Sequence, residues 1–486
     1  MTIKDLQPAE VFGIFHEITQ VPRPSKKEGK IRKYLLDFAA KHNLEVQTDE
    51  IGNVVMRKPA TPGHEDAPGI IMQAHMDMVC ESNHKGFDFE NQPITTIVDG
   101  DWLHADGTTL GADNGSGMAG ALAALTNDKL VHGPLEALFT VDEETGLTGA
   151  NNLGPDMIHG QMLLNLDSED DAEIFVGCAG GIDTTCLFTY ERSMAPTDFH
   201  YFKFEIANGL GGHSGSDIKL GRANAVQLLA RFLWNVGSQF DLSLCEIDGG
   251  NLRNAIPRAS HAIFGVHTSN KEKIVVAFNQ LKAEVENEYA GIEPNITLSL
   301  ETIERPEFAV DSKTTKDLVE ALYACPHGVI SMSRDIEGLV ETSTNLASVK
   351  MQPDNHILAV TSQRSSVESR KFDLAHRIEA LFTLAGAKVT HGDGYPGWAP
   401  NMKSKIMQVA SDAYYELYGI RPAIQAIPAG LACGLFLTKY PGLDMVSFGP
   451  TLRDVHSPSE SMNIPAVDRF WHQLCRTIEK VADLKK

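Results

Sequence analysis

Long apolar runs are missing from this 486-residue sequence; none approaches the roughly 20 residues that a membrane-spanning helix needs. The opening stretch, MTIKDLQPAEVFGIFHEITQV, lacks the basic start, continuous apolar core and small-residue cleavage site of a secretory signal. Cysteine is sparse. The seven present (Cys80, Cys178, Cys186, Cys245, Cys325, Cys433, Cys475) are odd in number, scattered and free of any CxxC pairing, which predicts a reduced, cytoplasmic setting. Positive charge is outnumbered, 42 Lys and Arg against 64 Asp and Glu, for a formal net charge of -22. Nucleic acid and anionic membrane would be repelled at long range and are excluded as partners.

What is present is the composition of an ordinary globular protein, 42% hydrophobic and 22% charged. At this length one hydrophobic core is not enough, so at least two domains are expected. Val11, Phe12, Ile14, Phe15 and Ile18 recur at helical spacing, as do Ile31, Leu35, Phe38 and Ala39. Strands are predicted near 44–48, 53–58, 69–74, 135–141 and 162–166, with a helix after Asp113. Strands alternating with helices predict an α/β sheet whose ligand sites lie beyond the strand ends.

After about Thr185 the pattern changes to β-α-β-β-α-β between 202 and 300, a ferredoxin-like unit, and the same grammar recurs in part between 313 and 390. From the turn-rich GDGYPGWAP at 392–400 the first grammar resumes. The expected architecture is α/β: a discontinuous catalytic domain (1–185 and 392–486) carrying an inserted α+β lid (186–391) of two ferredoxin-like units.

The chemistry concentrates at strand ends. GIIMQAHMDMVC delivers His75 and Asp77, two apart and so on one face. That is a metal-binding posture, with imidazole as ligand and Asp77 orienting it through the other ring nitrogen. In LGADNGSGMAG, Asp113 opens a helix between glycines and is a second candidate ligand. VDEETG ends a strand on Glu143 and Glu144; one of the pair can ligate while the other stays free as a general base. NLDSED ends a strand on Asp167, and DVHSPSE presents His456 after a Gly-Pro turn. Mixed His and carboxylate ligands suit zinc, cobalt or manganese. Five of them exceed what one catalytic zinc uses, so two divalent ions sharing a bridging carboxylate are expected.

In this order and spacing the segments AHMDMV, GADNGSG, DEETG, NLDSED and DVHSPSE resemble the co-catalytic dinuclear zinc exopeptidases, which include glutamate carboxypeptidase, aminoacylase and bacterial dipeptidases. HADGTTLGADNGSG followed by a long doubled insertion resembles the aminoacyl-histidine dipeptidase branch. The resemblance implies that His75 and Asp167 hold one zinc and Glu144 and His456 the other, with Asp113 bridging. It makes Asp77 the orienting carboxylate and Glu143 the general base. GGHSG resembles the motif whose histidine, here His213, polarises the scissile carbonyl, and NLRNAIPR and SQRSS offer Asn254 and Arg364 for the substrate carboxylate. DNGSG replaces the Asp-x-Lys-Gly of many relatives, which favours the dipeptidase branch. The implied activity is hydrolysis of dipeptides, Xaa-His such as β-Ala-His included. The alternatives are a tripeptidase or N-acyl amino acid amidohydrolase, and, from another class, a non-catalytic metal-dependent peptide-binding protein. Expected partners are dipeptides, with a homodimer left open.

Overall fold

A computed structural model describes residues 2–427 and 430–484. The chain divides into two compact units: Met1–Cys178 with Trp398–Ala426 and Leu431–Lys486, and Ala179–Gly397 with Ile427–Gly430.

The first unit is built on an eight-stranded sheet in the order Glu45–Thr48, Val54–Lys58, Leu135–Thr140, Ile70–His75, Met162–Asn165, Asp444–Ser447, Glu173–Cys178 and Ala423–Ile427. Its four central strands, Leu135–Thr140, Ile70–His75, Met162–Asn165 and Asp444–Ser447, run parallel. Three of them are buried at every residue, as their near-continuous apolar sequences require for strands covered on both faces. Parallel strands end on one side of the sheet. The ends of these four therefore emerge together: His75 closes one strand with Asp77 just beyond it, Glu143 and Glu144 follow the second, Asp167 the third, and His456 lies past the fourth, after the short strand Leu452–Arg453. Helices Ala9–Thr19, Ala112–Thr126 and Ile464–Ala482 are amphipathic or apolar and bury their inward residues in this unit.

A smaller antiparallel sheet orders Leu452–Arg453, Ser461–Asn463, Trp102–Ala105 and Thr96–Asp99. Pairing of Ser461 with His104 and Asn463 with Trp102 ties the His456 loop to the segment leading into Asp113.

The second unit contains one nine-stranded antiparallel sheet, with eight strands in the main path and Gly328–Met332 paired beside Val340–Gln352. One half runs Phe199–Ala207, helix Ala225–Gly237, Ser243–Gly249, Ser260–His267, helix Lys271–Glu288, Thr297–Ile303, a complete ferredoxin-like unit. The other half takes its first strand from Gly180–Thr189 and its remaining elements from Ser312–Ala324, Val340–Gln352, His356–Ser365, Glu368–Leu384 and Lys388–His391. One repeat is thus nested inside the other. The expected boundary at 186 falls within the strand Gly180–Thr189. Phe202, Phe204, Phe232, Phe264 and Phe382 are buried in the core between sheet and helices.

Candidate metal centre

His75 is the last residue of its strand and is buried. Its Nδ1 lies 3.1 Å from the Asp77 carbonyl and 3.4 Å from the Asp77 carboxylate; its Nε2 lies 3.0 Å from Asp113 Oδ1 and 3.4 Å from Asp167 Oδ1. On the far side, His456 Nε2 lies 3.1 Å from Asp113 Oδ2 and 3.0 Å from Glu144 Oε2. The two oxygens of Asp113 therefore face two different histidines, which is the geometry of a carboxylate shared between two centres.

Asp113 stands at the start of its helix, just after Gly111, whose φ of +70° glycine alone adopts without strain. Its peptide to Asn114 is cis. Farther along, a Cβ on Gly117 would overlap the Leu166 carbonyl oxygen. That glycine lets the Asp113 helix approach the segment bearing Asp167.

Glu143 and Glu144 begin a four-residue helix, Glu143–Gly146. Asp77 is fully buried and accepts from both of their backbone N–H groups, at 3.0 and 3.3 Å, and from Ser25 Oγ at 2.8 Å. One carboxylate thus braces the His75 ring and the Glu143–Glu144 turn together.

The electrostatics are those of an anionic cavity. Burial pushes Glu143 up to about 8 against the pull of His75, with Asp167, Glu144 and Asp113 adding to the rise. Burial likewise raises Asp167. Burial opposes ionisation of Asp77 too, yet His75, the Glu143 N–H and Ser25 hold it well below the usual carboxylate range. His456 is driven up to about 11 by its hydrogen bonds to Asp113 and Glu144. Glu144 Oε1 is buried without a hydrogen-bond partner, a costly state for a carboxylate oxygen. His75, Asp113 and Glu144 offer donor atoms all within 4.8 Å of one another, and two atoms each about 2 Å from one ion lie within about 4 Å of each other. The orphaned oxygen and the paired histidine nitrogens fit divalent cations.

The sequence-predicted residues His75, Asp77, Asp113, Glu143, Glu144, Asp167 and His456 all meet in the first unit. His213, Asn254 and Arg364 belong to the second. There His213 Nδ1 accepts from the Gly215 and Ser216 N–H groups at 3.2 Å each, leaving Nε2 to carry the hydrogen of a neutral ring. Burial, and then the Arg364 charge, lower its pKa. The Asn254 carbonyl accepts from Ser214 N at 2.8 Å, and Arg364 Nη1 donates to Tyr395 Oη at 2.9 Å.

Sequence reasoning missed Arg23 and Glu460. Both are buried polar residues at the centre. The signals were an arginine between Pro22 and Pro24, and an acid four residues after His456; neither marks a buried site by itself. Glu169 was also passed over. It is pushed up to about 7, by burial first and then by Asp113 and Asp167.

The chain is similar to known proteins over its full length. The chain is 39% identical over 480 residues to the cytosol non-specific dipeptidase of Escherichia coli (strain K12), covering 99% of each. A crystal structure of aminoacylhistidine dipeptidase from Vibrio alginolyticus is similar at 40% identity with a TM-score of 0.95, over 100% of this chain and 99% of that one. A tripeptidase from Staphylococcus aureus shares the fold at 16% identity and a TM-score of 0.57, over 99% and 100%. Residues 71–480 match peptidase family M20/M25/M40, a span that takes in every strand end that presents a histidine or carboxylate to the centre, and the chain belongs to that family.

Proposed function

We propose that this chain is a metallo-dipeptidase that hydrolyses dipeptides, Xaa-His among them, with two divalent ions, zinc in the first place, held by His75, Asp113, Glu144, Asp167 and His456. His75 and Asp167 would hold one ion and Glu144 and His456 the other, with Asp113 as the ligand shared between them. The observation that carries this reading is the division of Asp113, one oxygen toward each histidine. The similarity to two dipeptidases over the full chain supports the choice of substrate class.

When bound, such an ion pair supplies Lewis-acid polarisation and makes the attacking water more acidic. Glu143 takes the proton of that water and returns it to the leaving amine, as a general base that becomes a general acid. Asp77 keeps the His75 ring in one orientation and holds the Glu143 backbone. The Nε2–H of neutral His213 donates to the carbonyl oxygen as charge develops there. Arg364 and Asn254 take the substrate carboxylate. The scattered cysteines support a cytoplasmic setting, and a discontinuous catalytic domain carrying an inserted lid stays part of this proposal, with the expected boundaries at 185/186 and 391/392 moved to 178/179 and 397/398.

Initial rates on β-Ala-His, a tripeptide and an N-acetyl amino acid, measured side by side on zinc-loaded protein, test the reading. Preference for the dipeptide is expected. Faster turnover of either other substrate would overturn it, and binding of peptide without product would replace catalysis by a binding role.

A further inference from the structure

Three segments remote in sequence must hold their side chains in register for Asp113 to face both His75 and His456. What fixes them is a pair of buried residues. Glu460, 2% exposed, closes the loop that carries His456. Its Oε2 accepts from the N–H groups of Leu110 and Gly111, at 2.7 and 2.9 Å, and its Oε1 from the N–H of Asp113, at 3.2 Å. One carboxylate thereby satisfies three backbone donors at the helix start that presents Asp113. Unpaired, those donors would face a dry interior.

Arg23, 3% exposed, works from the other side. Its Nη1 donates to the Asp77 and Met76 carbonyls at 2.7 and 3.2 Å, and its Nη2 donates to the Gly111 carbonyl. The guanidinium fork spans the His75–Asp77 strand end and the Gly111 turn, a match to several acceptors that lysine does not reproduce. A Cβ on Gly111 would come 2.6 Å from Arg23 Nη2, so the glycine also makes room for this contact. A buried cation and a buried anion are thus each spent on backbone atoms of the segments around the centre, and neither occupies a ligand position.

We propose that Arg23 and Glu460 are positioning residues that form a buried brace locking the Asp113 carboxylate between His75 and His456, so that loss of the brace weakens the shared cation site without removing a ligand. This inference rests on the assignment of Asp113 as the shared ligand, and its test separates the two.

Glu460→Gln keeps the shape but leaves one oxygen to serve three donors; Glu460→Ala removes both oxygens, and Arg23→Lys keeps the charge without the fork. Metal affinity is read by chelator competition with zinc alone, and hydrogen exchange of the metal-free chain is read at Leu110, Gly111 and Asp113. Outer-shell substitutions of this kind cost about 10–100-fold in affinity. The expected result is a loss of that size, larger for Glu460→Ala than for Glu460→Gln, with activity restored by excess zinc. Exchange should be faster at the three amides and unchanged in helix Ile464–Ala482. If Glu460→Ala fails to fold, the isosteric Glu460→Gln carries the test. Unchanged exchange at those amides, or unchanged affinity with faster exchange, would overturn the brace. A wild-type chain that takes up no zinc would instead overturn the shared-ligand assignment.

Discussion

Glu143 and Glu144 are neighbours in the chain with opposite surroundings. Glu144 Oε2 meets His456, whereas Glu143 is raised by burial against the pull of His75, with neighbouring acids adding to the rise. That difference separates a ligand from a base. Glu143→Ala should keep both ions by elemental analysis while kcat falls by about 10²–10⁴-fold or more; near-normal kcat in the loaded variant would remove Glu143 from the reaction. His456→Ala should leave one ion per chain in place of two. Proton counting gives a third test. With its pKa raised to about 11, His456 is charged at neutral pH in the metal-free chain and stabilises it. That contribution is full below the ordinary histidine value of about 6.5 and is lost as pH rises toward 11. A ligating imidazole must be neutral, so zinc loading near pH 8 should release protons. Calorimetry in buffers of different ionisation enthalpy would detect them, and metal affinity should rise with pH.

The cluster proposed as the metal centre was largely legible at the level of elements because its residues follow apolar runs. His75, Glu143, Glu144 and Asp167 each sit where such a run stops, and a parallel sheet gathers those stops at one side. The hairpin from Thr96–Asp99 to Trp102–Ala105 was not legible, since its strands are short, partly exposed and interrupted by Gly100 and Asp101. Gly180–Thr189 was hidden as well: its two opening glycines weaken the strand signal, and its partners come some 170 residues later, His356 opposite Thr189. Arg23 and Glu460 escaped because they bind backbone, which leaves no pattern in sequence. Glycine at helix contacts has the reverse property, being visible in sequence but ambiguous until placed. Gly117→Ala would push a methyl into the Leu166 carbonyl. Overpacking of this kind costs about 1–3 kcal/mol, so a lower thermal midpoint and weaker zinc binding are expected together.

At the scale of the molecule, all the residues proposed to hold cations lie in one of two units. Saturation at about 100 times Kd should stabilise that unit by about 2.7 kcal/mol. Scanning calorimetry with and without chelator should therefore move its transition; a shift in neither transition would argue that the buried acids hold no cation. The nested repeats have a consequence of a different kind. Arg192–Met194 pairs with Phe308–Val310 across the neck of the inner repeat, with Arg192 directly opposite Val310. The segment between leaves and rejoins the outer repeat through two adjacent strands, like a hairpin grown to more than a hundred residues. Such a neck is a natural point for excision: a tight turn joining Met194 to Phe308 would spare every strand of the outer repeat, whose only strand pairing lost among the described residues is the short one at Asp248 and Gly249, although the core that Phe232 and Leu322 share would be opened.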